Sequence, residues 1–150
     1  MRKTLITVLA ASIGLGGFAG AANAGLFSAT GQVIAILAGD LFVGEAEGRL
    51  SGARTLTIHS QRDPALTCRG EFTSSAALGG SGKLLCSDGT TADFQFKRLT
   101  VFRGFGTGTT SRGPLSFAYG IPPAEAQAYL RLPDGKKLMH NGTELAMIDQ

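Results

Sequence analysis

Apolar and polar residues alternate along most of the chain with the period of a β-strand. The clearest case is residues 54–60, where Leu56 and Ile58 face one side and Thr55, Thr57 and His59 face the other. Further short runs, separated by glycine-rich or Asp-containing turns, cover residues 30–37, 41–50, 66–72, 83–86, 92–97, 99–109 and 115–120. The pattern predicts an all-β domain, an antiparallel meander that forms a small barrel or sandwich.

Residues 122–130 break the β period. Two prolines are followed by good helix formers, which favours one short helix. Its apolar face would carry Ala126, Tyr129 and Leu130, and we expect it to cap an open end of the sheet. After it, residues 137–140 and 143–148 are predicted strands on either side of an Asn-Gly turn at 141–142.

Three glycines at alternate positions, Gly104, Gly106 and Gly108, leave one face of a predicted strand without side chains. Such a face lets another backbone or a large aromatic ring lie close against it.

The first 24 residues have the pattern of a secretory signal peptide. Arg2 and Lys3 precede an uncharged apolar run that ends in an A-x-A site at residues 22–24. A membrane anchor is the competing interpretation, but four glycines in the run weaken it as a spanning helix. We therefore expect cleavage after Ala24, a single domain over residues 25–150, a periplasmic or secreted location and no stable membrane anchor.

Removal of that segment also changes the charge balance. Of the 14 Lys and Arg residues, two lie in residues 1–24, so 12 remain against 11 acidic residues and the net charge falls from +3 to about +1. Nucleic-acid binding needs clustered basic residues. The remaining positive charges are scattered, which argues against a nucleic-acid partner.

Cys68 and Cys86 are the two cysteines of the chain. In an exported protein the simplest expectation is one disulfide, because the compartment is oxidising. The bond would join the two halves of a β-hairpin. A redox or metal role is disfavoured, since the spacing is not C-x-x-C and His59 and His140 are the only histidines.

Residues 42–46 (F-V-G-E-A) and 68–72 (C-R-G-E-F) share the pattern x-x-G-E-x. The central third of residues 25–150 resembles the β-hairpin repeat called MORN, because Gly70, Gly80 and Gly82 match the glycines of that repeat. More of the chain resembles small secreted proteobacterial proteins of unknown function. The matching segments are residues 44–48, 68–72, 80–89, 104–108 and 117–120. That resemblance implies an architecture and a compartment, and no catalytic residues.

The chain carries no recognisable catalytic motif. The segment G-G-S-G-K at residues 79–83 lacks the other positions of a phosphate-binding loop, and there is no G-x-S-x-G elbow. His59 lies on the polar face of its strand, where a surface role is the simpler interpretation. We expect a protein that is not an enzyme and has no cofactor or metal.

Aromatic and basic residues around the glycine-rich strands suggest a shallow ligand platform made of Arg103, Phe105, Arg112 and Tyr119. Alternatively, Phe105 and Tyr119 only pack across bare glycine faces. The function predicted is binding or a structural role in the cell envelope, with an envelope protein or a glycan as partner. A second hypothesis is an inhibitor of an envelope-attacking enzyme such as lysozyme, with residues 61–64 or 109–113 as the inserting loop.

Overall fold

Eight antiparallel strands form a closed barrel in which each strand pairs with the next along the chain and the last pairs with the first. The computed structural model describes residues 28–49, 54–75, 79–100 and 102–150, so the predicted signal peptide lies outside the described residues. The barrel strands are β1 (Ser28–Leu37), β2 (Asp40–Arg49), β3 (Arg54–Ser60), β4 (Thr67–Ser75), β5 (Gly79–Cys86), β6 (Thr91–Thr100), β7 (Arg103–Thr110) and β8 (Gly113–Tyr119).

The barrel interior is filled by the inward half of each alternating strand. An eight-stranded barrel is just wide enough for side chains to fill it. The expected meander is therefore a barrel, and a sandwich is excluded. The buried interior residues are Val33, Ala35, Leu37, Phe42, Leu56, Ile58, Cys68, Leu84, Cys86, Ala92, Phe94, Phe96, Leu115 and Phe117.

The glycines of β7 face this interior, and large aromatic side chains lie against them. A Cβ on Gly106 would come within 2.5 Å of the Phe117 ring, and a Cβ on Gly104 would collide with the phenol of Tyr119. The prediction that the bare face admits large rings is confirmed.

The disulfide joins Cys68 on β4 to Cys86 on β5, which are direct partners in the register of that hairpin. Both sulfurs face the interior, and Cys68 is completely buried. The predicted staple of the hairpin is confirmed. The 18-residue separation corresponds to about 3 kcal/mol of stabilisation in the chain-entropy model.

The C-terminal segment consists of α1 (Pro123–Ala126), a 3-10 turn (Gln127–Tyr129) and a hairpin of β9 (Lys136–Asn141) and β10 (Glu144–Asp149). The predicted helix exists, but the expectation that it caps an open end is wrong. It packs with the hairpin on the outer wall of the barrel. The outer cluster contains Ile34, Ile36, Leu41, Ala118, Ile121, Ala126, Leu130 and Leu145.

The physical reason lies in β1, whose residues 33–37 are all apolar and buried. A strand with apolar side chains on both faces needs cover on its outer side as well as its inner side. Ile34 and Ile36 point outward, and the C-terminal segment covers them.

The predicted run over residues 99–109 is also corrected. Leu99 and Thr100 belong to the end of β6, and β7 begins only at Arg103. The register between the two strands shifts between Arg98 and Thr100, which marks an irregularity at that end of the hairpin. Among the described residues, no helix has the length and apolar character to cross a membrane.

Candidate functional site

The outer wall of the barrel has two unlike halves. The C-terminal segment covers β1, β2 and β8 and contacts the start of β7 at Arg103 and Phe105, whereas β3 to β6 and the rest of β7 turn mostly polar side chains to the solvent. On this uncovered half the register aligns the side chains in rows across five strands. One row runs Thr55, Glu71, Lys83, Asp93 and Thr109. The next row runs Thr73, Ser81, Gln95 and Thr107.

The two rows line a concavity of about 870 Å³, which we call the polar groove. Its outward side chains are those of Thr55, Glu71, Thr73, Ser81, Lys83, Asp93, Gln95, Thr107 and Thr109. Four strands supply three consecutive residues each, two with outward side chains and a middle one at an inward position.

Two of those middle residues, Gly82 and Gly108, lie against Phe94 of the barrel interior. A Cβ on Gly82 would collide with the tip of Phe94, and a Cβ on Gly108 would lie 2.9 Å from the Cβ of the same Phe94. Because neither glycine has a side chain, Phe94 lies directly against the backbone of β5 at Gly82 and of β7 at Gly108.

Charges of both signs lie in the groove. Lys83 Nζ is 3.3 Å from Asp93 Oδ1, and these side chains are 88% and 76% exposed. An ion pair this exposed contributes little to stability. Its two ends, together with Glu71 opposite Lys83 in the register, are free to exchange water for a ligand's polar groups.

Hydroxyl, amide, carboxylate and ammonium groups thus occupy one surface. Together they donate and accept hydrogen bonds. Such a surface can bind a polar chain through many weak contacts.

The four residues predicted as one platform occupy three separate places. Arg103 and Phe105 point outward from β7 toward the C-terminal segment, where Arg103 Nη2 lies 2.6 Å from Glu125 Oε2. The Phe105 ring packs on Tyr129 with centroids 4.5 Å apart. Alternation along β7 directs these two side chains away from the barrel interior.

Arg112 lies in the turn between β7 and β8, at the other end of these strands, and its Nη1 is 3.2 Å from Asp88 Oδ2. Asp88 also accepts a hydrogen bond from the backbone N–H of Thr90, and these hydrogen bonds, with the Arg112 charge, hold its pKa below the usual 3.8. Arg112 therefore links the β7–β8 turn to the β5–β6 turn, where Asp88 lies.

Tyr119 faces the interior at the end of β8. Its ring meets Phe96 edge-on, with centroids 6.0 Å apart. Burial of the phenol raises the pKa of Tyr119 above its ordinary 10.0, and the positive charges of Arg98 and Arg54 act against that rise. The alternative that Phe105 and Tyr119 pack across bare glycine faces is confirmed for Tyr119 at Gly104 and is wrong for Phe105, whose ring packs on Tyr129. A ligand-binding role for each of the four residues stays a prediction.

The two histidines lie apart on exposed positions, His59 on the outer face of β3 and His140 on β9. Within the parts of the chain that the structure describes, no group of three or more His, Cys, Asp or Glu side chains is arranged to hold a metal ion.

Sequence reasoning missed the polar groove. The signal was present as Thr, Ser and Gln at alternate positions of successive strands, such as Thr107 and Thr109. What joins these positions into one surface is the register of five strands, which the alternation does not specify.

Comparisons with protein-family models, with curated proteins and with solved structures found no match.

Proposed function

We propose that the protein is an exported, non-enzymatic binding domain of the cell envelope, and that the polar groove binds a hydroxyl-rich glycan chain. The observation that carries this proposal is the concavity of about 870 Å³ with outward side chains that are all polar, on the half of the barrel wall that the C-terminal segment leaves uncovered. The hydroxyl, amide and charged groups of these side chains can donate and accept hydrogen bonds with a hydrated polymer.

Closure of the barrel supports side-chain recognition. Each of the eight described barrel strands pairs on both sides, so a partner cannot add a strand to an edge of this sheet. Binding to the wall must therefore use the outward side chains.

The groove also has a rigid base. Gly82 of β5 lies against the Phe94 ring, and that ring meets Phe117 edge-on with centroids 5.3 Å apart. A rigid surface loses little conformational entropy when a ligand binds. This compensates in part for the weakness of single polar contacts.

Cosedimentation with purified insoluble peptidoglycan tests the proposal. The protein from Gly25 onward should sediment with the polymer, and a Gln95→Ala, Thr107→Ala double variant should remain in solution. The matched control is Thr57→Ala with Thr91→Ala, which removes two exposed polar side chains outside the groove. Absence of binding, or equal binding by both double variants, would refute the groove as a glycan site.

Inhibition of lysozyme is a second candidate function, favoured by the order of residues 61–64. This connection is exposed, and Ser60 Oγ accepts hydrogen bonds from the backbone N–H groups of Arg62 and Asp63 at 3.2 and 3.1 Å. An exposed loop that is already ordered loses little entropy on entering an active site. In the other candidate loop only Ser111 and Arg112 lie between the strands, so it projects less.

A lysozyme activity assay decides this alternative. Micromolar protein should inhibit the enzyme, and substitution of Arg62 by Ala should weaken inhibition. An unchanged lysozyme rate at that concentration discards the hypothesis.

A further inference from the structure

Two arginines and a tyrosine meet at one end of the barrel interior, which we call the mouth. Arg54 begins β3, Arg98 lies near the end of β6 and Tyr119 ends β8. All three occupy inward positions by the alternation of their strands, and they lie at the end opposite to the disulfide.

The register brings Arg98 and Tyr119 together. Gly104 of β7 pairs with Arg98 on one side and with Tyr119 on the other. Because Gly104 has no side chain, the guanidinium and the phenol approach each other over it, and Arg98 interacts directly with the hydroxyl.

Arg54 approaches from the other side of the mouth. Its strand partner is Gly48, and a Cβ there would lie 2.8 Å from Nη1 of Arg54, so the guanidinium lies over the inner face of β2. The charge of Arg54 acts on the Tyr119 phenol. A second glycine thus makes room for a second guanidinium.

Among the residues that the structure describes, Arg98 has no acidic partner. The carboxylates of the neighbouring strands, Glu71 and Asp93, point outward into the polar groove. In addition, Nε of Arg98 is buried and donates no hydrogen bond. A buried N–H that donates no hydrogen bond is energetically unfavourable, and an anion that accepts from it would relieve that cost.

Apolar groups surround these charges. The Phe72 ring meets Phe96 edge-on with centroids 5.5 Å apart, and Phe96 meets Tyr119 in the same way. On the rim, the end of the β6–β7 hairpin exposes 49% of Leu99 and 62% of Phe102.

We propose that the mouth binds the carboxylate head of a single-chain amphiphile. Arg98 and Arg54 hold the carboxylate, the Tyr119 hydroxyl donates a hydrogen bond to it, and the alkyl chain lies against Phe102 at the rim. The planar guanidinium matches a carboxylate with two parallel hydrogen bonds. The packed interior leaves the chain at the rim, so only the head enters the barrel.

This site is separate from the polar groove, and its ligand differs in class. Arg54 borders both, whereas Arg98 and Tyr119 lie at the mouth alone. Arg98 variants therefore test the mouth without changing the groove.

Calorimetric titration of the protein from Gly25 onward with sodium dodecanoate, below its micellar concentration and at pH 8, tests the proposal. One dodecanoate should bind per chain, and dodecyltrimethylammonium, which has the same chain and the opposite charge, should not bind. Arg98→Gln should weaken dodecanoate binding roughly 10- to 100-fold, the range for loss of a hydrogen bond to a charged group.

Arg69→Gln is the matched control, because Arg69 is exposed on the outer face of β4 and its loss changes the net charge equally. The groove variant Gln95→Ala, Thr107→Ala should also bind dodecanoate normally. Circular dichroism verifies folding of each variant. If Arg98→Gln does not fold, the dodecanoate affinity of Arg54→Gln is measured in its place and should be lower than that of the wild type. Absence of dodecanoate binding, equal binding of both amphiphiles or an unchanged affinity in the arginine variants would overturn the proposal.

Discussion

Arg98 and Tyr119 interact although their strands, β6 and β8, are not neighbours, because Gly104 on the strand between them has no side chain. The same absence of a Cβ at Gly82 and Gly108 lets Phe94 lie against the backbone of β5 and β7 beneath the polar groove. Glycines at inward positions thus shape both candidate sites of this barrel.

Gly104→Ala should destabilise the protein. The new methyl group would collide with the phenol of Tyr119 and with the backbone carbonyl of Lys97. Overpacking of this kind costs about 1–3 kcal/mol. Urea unfolding followed by circular dichroism measures the change. Gly31→Ala is the control, since the nearest atoms to its Cβ would lie 3.8 Å away and its stability should be nearly unchanged.

Replacement of both Cys68 and Cys86 by Ala should lower the free energy of unfolding by about 3 kcal/mol, because the unfolded chain is no longer closed into a loop. The same urea experiment measures the loss. Mass spectrometry of the non-reduced wild-type protein should show the two-hydrogen deficit of one disulfide. Free thiols in the wild type, or a double variant as stable as the wild type, would contradict the role of the staple.

The Tyr119 phenol should ionise above pH 10.0, because burial disfavours its charged form. Absorbance at the phenolate band isolates it in a Tyr129→Phe background, since the chain has two tyrosines. In that background, Arg98→Gln should raise the pKa of Tyr119 further, because the Arg98 charge lowers it. An unchanged or lower pKa would show that Arg98 does not face the phenol.

The sign of the accompanying stability change follows from the raised pKa. The folded state holds the Tyr119 proton more tightly than the unfolded state, whose tyrosine titrates near 10. The contribution of Tyr119 to the free energy of unfolding is therefore complete below the unfolded pKa, and it is lost as the pH rises through the folded pKa. Urea unfolding at a series of alkaline pH values should show this loss, and Tyr119→Phe should reduce it.

Leu145→Ala should release the C-terminal hairpin from the barrel wall. Leu145 is 7% exposed and packs in the outer cluster with Ile34 and Ile36. Loss of a buried leucine side chain typically costs about 2–5 kcal/mol. Met139→Ala, on the same hairpin but 49% exposed, is the control and should have a small effect. Equal effects of the two substitutions would contradict the packing of the hairpin on β1.

Alternation predicted the presence of the barrel strands but not all of their bounds, since it missed residues 79–82 of β5 and joined the end of β6 to β7; the two cysteines predicted the disulfide. Arg54–Ser60 is predicted to the residue, because Leu56 and Ile58 are buried on one face only. Residues 33–37 carried a further signal, a continuous apolar run, which is typical of a strand buried on both faces. That run indicates that the outer face of β1 needs cover, and the short helix lies there instead of at an open end of the sheet.

Neither candidate site could be found from alternation alone. The polar groove joins Thr55 to Thr109 through the register of five strands, and a slip of one residue in any pairing would break the row. The mouth depends on Arg98 reaching Tyr119 across Gly104, next to an irregularity in the pairing of β6 and β7. These relationships are long-range and have no signature within a short sequence window.

The central claim, that the polar groove is the glycan-binding surface, is tested most directly by amide chemical-shift mapping of the protein from Gly25 onward with soluble peptidoglycan glycan fragments. The account predicts shifts concentrated at Lys83, Gln95 and Thr107, with little change at Thr57 and Thr91 on the same wall. Saturating shifts confined to residues outside the polar groove, or no shifts at millimolar fragment, would contradict it.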